Sequence, residues 1–260
     1  MLPFTKFLTN FGRGSWLRIV FPKLVAAAVC LSAWTMANGQ ESKVQPAPAD
    51  SVVATINSQT VSADEYRLVM ERKVAGVYSF FKQQHDVDDH PGYWNESSGP
   101  DGPLAKLREM VREELVRIKA CQGLAKEKGL VQETSFASFQ AGFERENARR
   151  SAAKSAGQVI YGPVKYRMAS YYYILFGDLV YKLKQSLAKA HEPEITEGEI
   201  GKFYEENKAA YGGKPLEDMK KGIVTFLSTK AAEKELEALC ASAKVEINEP
   251  RLRALVPRFD

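Results

Sequence analysis

The chain has 260 residues, 45% of them hydrophobic, enough for one sizeable core or two small ones. Its formal net charge of +4 arises at the start, where residues 1–39 hold Lys6, Arg13, Arg18 and Lys23 and no acid. Taking those four cations from the 36 Lys and Arg leaves 32 against 32 Asp and Glu. A body so neutral gives no electrostatic ground for binding nucleic acid.

The first element is the cationic stretch up to Lys23, followed by an apolar run over residues 24–36 and small residues at Ala37 and Gly39. This is the order of an export signal, and about 13 apolar residues fall short of the roughly 20 that span a bilayer. A signal peptide over 1–39 is therefore expected, cleaved near Ala37 to Gly39. The mature protein is expected to be exported to a periplasm or the cell exterior, touching the membrane only through that signal. The long cationic stretch and Pro22 leave an uncleaved anchor as the alternative. Cys30 lies inside the apolar run behind Val29, which argues against lipid attachment. Residues 40–50, QESKVQPAPAD, have the composition of an extended linker.

A single domain is expected over 51–260. It opens with β-branched Val52, Val53 and Ile56 and the turn pair Asn57-Ser58, a short strand and a turn. Ser62 and Glu65 then have capping-box spacing, with Val61 and Tyr66 placed as a hydrophobic staple. Tyr66, Val69, Met70, Val74 and Val77 recur at three and four, the apolar face of a first helix. A polar, Gly- and Pro-bearing loop follows over 85–102. Pro103 suits the first turn of a second helix, whose stripe is Leu104, Leu107, Val111, Leu115 and Ile118 and whose end is Gly129.

Phe136, Phe139 and Phe143 mark one face of a third helix, which runs into ERENARRSAAKSAGQ. Gly162-Pro163 breaks the pattern before a fourth helix that Pro193 stops. A second capping box, Thr196 with Glu199 and the staple Ile195 with Ile200, starts a fifth helix ending near Tyr211. Gly212-Gly213 turns the chain into a last helix over about 216–243, and the alternating KVEIN over 244–248 reads as a terminal strand. The expected fold is mainly α, with a minimal two-strand sheet.

Three segments together resemble the SurA/PrsA family of exported chaperones and foldases. They are VVATINSQTVSADEY, LAKLREMVREELVRIKACQGLAKEKGL and EITEGEIGKFYEENKAAY, and PLEDMKKGIVTFL with KVEIN resembles the family's closing helix and strand. The matches bracket residues 52–248. The resemblance implies that the opening and closing strands pair, making one discontinuous helical domain from both chain ends. It also implies a holding function toward unfolded or nascent exported proteins, without a cofactor. In this family a parvulin-type prolyl isomerase domain usually separates the fifth and sixth helices. Here Gly212, Gly213 and Lys214 stand at that point, far fewer than the roughly 50 residues of a small domain. Prolyl isomerase activity is therefore not implied, and the expected protein is not an enzyme.

Several constellations carry functional readings of their own. In SYYYILFGDLVY the rings of Tyr171, Tyr172, Phe176 and Tyr181 offer broad, weakly selective contact for a peptide. The same segment is apolar most of the way round, as a central core helix is. Tyr171 and Tyr172 are the expected exposed pair, Tyr173 and Phe176 the expected core-facing pair. His85, Asp88 and His90 carry metal-ligand chemistry, yet they sit in one polar loop without cysteine or HExxH and equally make a surface turn. A metal-dependent enzyme built on His85 and His90 is the alternative from another class.

Arg145, Arg149, Arg150 and Lys154 make a basic helix face, compatible with an acidic client or with simple solvation. Cys121 and Cys240 admit a disulfide in an exported protein, or two buried apolar thiols. No phosphate loop or nucleophile motif is present. A general holdase and an escort or scaffold dedicated to one exported partner both fit these residues.

Overall fold

A computed structural model of the chain describes residues 51–94 and 102–255. The expected export signal, its cleavage point and the 40–50 linker lie outside the described residues. The described part is mainly α, with seven helices and three strands.

The strands β1 (Val52–Ile56) and β2 (Gln59–Ser62) form a hairpin with Ile56 opposite Gln59. Asn57 (φ 47) and Ser58 (φ 65) are its two loop residues. Two left-handed residues match the twist of the flanking strands, and Asn tolerates that region well. The sequence pattern predicts the strand and turn but not β2, whose Gln59-Thr60 pair has no apolar alternation. β3 (Val245–Ile247) pairs antiparallel with the other edge of β1, Ala54 facing Ile247 and Ile56 facing Val245. The two chain ends thus meet in one sheet, as expected, but the sheet has three strands in the order β2-β1-β3 rather than two. Asn57 fastens the third strand, since its side-chain oxygen accepts from the Lys244 N–H at 2.9 Å and its own N–H donates to the Lys244 carbonyl at 3.0 Å.

The helices are α1 (Ala63–His85), α2 (Pro103–Glu127), α3 (Phe136–Ser155), α4 (Met168–His191), α5 (Glu197–Asn207), α6 (Leu216–Ala241) and α7 (Glu249–Arg253). α1 lies along α2, and α4 along α6. The apolar stripes predicted for α1 and α2 face each other, with Val69, Val77, Leu107, Val111 and Ile118 fully buried. A separate small cluster of Ile200, Tyr204 and Ile223 joins α5 to α6. Gly212 (φ 59) and Gly213 (φ 81) make the tight α5–α6 turn in a backbone region that favours glycine. α7 follows β3 unannounced by apolar periodicity; Asn248 caps it, accepting from the Arg251 N–H at 3.3 Å, with Pro250 in its first turn.

The first capping box is only half made. The Ser62 hydroxyl accepts from the Glu65 N–H at 3.2 Å, but the Glu65 carboxylate turns inward instead of returning to the cap. Its Oε1 meets the Lys119 ammonium at 2.9 Å with both side chains 1% exposed. The second box, Thr196 with Glu199, is complete in both directions. The difference follows from place: Glu199 is at the surface, whereas Glu65 enters the core where Lys119 offers a charge that must be paired.

Candidate functional site

The α2–α3 connection is shaped by polar residues the apolar pattern does not reveal. Gln59 of β2 donates to the Lys119 carbonyl at 2.6 Å. Its side-chain oxygen accepts from the Thr134 hydroxyl at 3.4 Å. Glu133 accepts from the Thr134 and Ser135 N–H groups at 2.8 and 3.0 Å, and those backbone bonds hold its carboxyl below the usual range. Ser135 then caps α3, accepting from the Ser138 N–H at 3.2 Å.

α3 meets α4 through rings. Phe139 stands edge-on to Tyr172 with centroids 4.9 Å apart and stacks on Phe136 at 5.4 Å, while Tyr171 packs against Phe143 at 5.9 Å. Of α3 only Phe136 and Arg150 are buried, so the helix rests on α4 rather than entering the core. Between them lies a groove of about 280 Å³. Phe139, Tyr172, Phe176, Leu175 and Leu179 form its apolar wall, and Thr134, Ser135 and Ser138 line it with hydroxyls. No His or Cys is among the lining residues. On α4 the groove is also lined by Asp178 and Lys182, paired at 2.7 Å. Leu175 of its wall is 42% exposed, and Ile174 and Tyr181, outside the groove on the same helix, are 52% and 62% exposed.

The four ring residues expected to hold a peptide divide. Tyr181 is exposed on α4, where its hydroxyl accepts from Gln185 at 2.6 Å. Tyr171 is half-buried against Tyr166 and Phe143. Tyr172 and Phe176 are buried at 4% and 7%, and show only an edge to the groove. The expected exposure of Tyr172 is thus corrected. Its hydroxyl is drawn inward to donate to Glu65 Oε1 at 2.6 Å, and burial together with that carboxylate pushes its pKa well above the ordinary value. Leu175 is the exposed apolar residue of α4 that lines the groove, in place of the expected Tyr171 and Tyr172 pair.

The other expected constellations are dispersed. Lys82 holds Asp86 and Asp88, both at 2.9 Å; His85 packs on Phe81 and His90 on Tyr93. Among the described residues no three His, Cys, Asp or Glu side chains converge into a metal-holding group. Cys121 and Cys240 are free thiols rather than a disulfide; burial pushes Cys121 up to about 11.

The basic face of α3 also breaks up. Arg149 is held by Glu146 at 2.7 and 2.8 Å. Arg150 is buried, donating to the carbonyls of Pro163 at 2.8 Å and of Tyr161, so it fastens the loop over 156–167. Asn147 joins it, accepting from the Tyr166 N–H at 2.8 Å. Arg145 is exposed.

No family model, curated protein or solved structure matches the chain. Among the described residues, no helix is long and apolar enough to cross a membrane.

The polar core was readable in one respect. The ladder Leu107, Val111, Leu115 steps by four onto Lys119, so a lysine occupies a stripe position. A cation there demands a buried acid, and Glu65 supplies it.

Proposed function

We propose that this chain is an exported, ATP-independent holding chaperone of the SurA/PrsA kind, which shelters unfolded or nascent exported proteins and lacks prolyl isomerase activity. The observation that carries this reading is the α3–α4 groove with exposed Leu175 in its wall, on a helix that also exposes Ile174 and Tyr181 outside the groove. Exposed apolar side chains beside hydroxyls suit shallow contact with many unfolded sequences. Helix α3 touches α4 mainly by edge-on and tilted rings, a contact through which small shifts of one helix would accommodate clients of different size. Without a phosphate loop in the sequence, binding is passive mass action.

The test is suppression of aggregation of several unrelated unfolded clients, without ATP, at roughly stoichiometric ratios. Protection of several supports a general holdase. Protection of one alone, recovered as a stoichiometric complex from the native compartment, replaces it with a dedicated escort. Protection of none overturns both.

A further inference from the structure

A second cleft, of about 280 Å³, lies between α2 and the sheet. The cross-strand pairs Ala54/Ile247 and Ile56/Val245 present one apolar sheet face to it, and Leu115 and Leu252 complete that floor. Its walls carry Tyr66, Arg108 and Arg112. The Tyr66 hydroxyl and the Arg108 Nε are both buried and both lack a hydrogen-bond partner. Tyr66 as a whole is 3% exposed. Burial pushes this hydroxyl up to about 12, against the pull of Arg108 and Arg112, so the hydroxyl feels both guanidiniums that line the cleft. An Nε–H can only donate, and a phenol donates readily. Two buried donors without acceptors are costly, and they call for an acceptor brought from outside.

Charge agrees with that demand. The two acids lining the cleft already have cations: Glu109 is 2.9 Å from Lys106, and Glu249 is 3.9 Å from Arg253. Arg112 has no acid partner among the described residues, and Arg108 reaches only the Arg253 carbonyl, at 3.5 Å. A carboxylate on a small apolar group satisfies the donors, the free charge and the floor together. The volume is at the lower end for ligand cavities, which suits one apolar residue rather than a long chain.

Beyond Arg112 the space continues as a more open groove of about 510 Å³, which shares Val245 and Ile247 and reaches Ala243 and Cys240. It follows β3, an edge strand with no further strand paired to it among the described residues. Preceding residues of an extended peptide have room there, beside a strand edge of the kind peptides add to. We propose that this cleft is a second binding site, which takes the free C-terminal carboxylate of a polypeptide ending in an aliphatic residue. Arg112 and Arg108 receive the carboxylate, Tyr66 donates to it, and the β1–β3 face takes the side chain.

This site is separate from the α3–α4 groove, and its test does not depend on holding activity. Fluorescein-labelled Gly-Gly-Ala-Leu is titrated into the full chain and followed by anisotropy, beside the same peptide amidated at its C-terminus. The free acid is expected to bind roughly tenfold or more tightly than the amide, the effect of losing one charge-assisted contact. Arg112→Gln, at an exposed position, is expected to remove most of that preference, and Tyr66→Phe to weaken the acid severalfold with unchanged circular dichroism. Tyr181→Ala is expected to leave binding unchanged. Equal binding of acid and amide, or no binding of either up to about 1 mM, overturns the proposal, the second outcome assigning the orphan donors to water. Octanoate displacing the peptide at equal concentration also overturns it, in favour of a fatty-acid site.

Discussion

Glu65, Lys119 and Tyr172 form the one described polar contact in which an acid, a base and a phenol are all buried. Glu65 Oε2 has no partner there, so the group is only partly satisfied and depends on what remains. Removing one charge leaves the other stranded, which costs about 3–5 kcal/mol. Lys119→Met is therefore expected to lower the unfolding free energy by about that amount in urea titration, and Glu65→Leu with Lys119→Met to recover much of it. Tyr172 has a second burden, because its ring also packs on Phe139. Tyr172→Phe keeps the ring and is expected to cost about 1–3 kcal/mol, Tyr172→Ala about 3–5 kcal/mol. If Tyr172→Ala melts like the wild type, the ring is not core.

At the scale of elements, two polar clasps decide how helices and loops are held. His191 ends α4 and lies between Glu194, at 2.6 Å, and Glu235 of α6, at 2.8 Å. These hydrogen bonds, Glu194 first, raise its pKa above the ordinary 6.5. The folded value is above the unfolded one, so the stabilisation is fully present below about pH 6.5 and is lost as pH rises through the raised value. The side chain is largely shielded yet the pair is near the surface, so the effect is small and screened by salt. Urea midpoints of the wild type are expected to fall from pH 6 to pH 8 by more than those of His191→Gln; equal slopes would remove His191 from the account.

Arg150 is the second clasp. Its loss strands two loop carbonyls, with a local cost of about 2–3 kcal/mol. Arg150→Ala is expected to speed amide exchange over 156–167 while the α1–α2 core stays protected, since stability is lost locally. Uniform acceleration across the chain would show that the loop and core open together.

For the whole molecule, the arrangement separates a rigid core from an adaptable face. The sheet, α1, α2, α4 and α6 share one buried cluster, to which α3 adds Phe136 and against which it packs Phe139. Client binding on the outer α4 face therefore need not disturb the core. Tyr181→Ala and Ile174→Ser are expected to reduce aggregation suppression severalfold, with a melting temperature within a degree or two, because surface changes cost about 0.5 kcal/mol or less. Undiminished protection by the double variant would move the holding surface off α4.

The helices and their order were legible in the sequence because apolar residues recur at helical spacing and are bounded by Pro103, Pro193, Gly129 and the Thr196 box. The meeting of the chain ends was legible only through resemblance, since nothing local in Val52–Ile56 or Val245–Ile247 names its partner. β2 and α7 escaped because four and five residues are too few to show a period. Periodicity also could not tell which of three adjacent tyrosines enters the core: consecutive residues are about 100° apart on a helix, and neighbours on several sides claim them. The choice fell to Glu65 and Lys119, which lie 107 and 53 positions away in the chain and pull the Tyr172 hydroxyl inward. A buried charge pair and an orphaned donor are relations between distant residues, and only the tertiary structure brings such residues together.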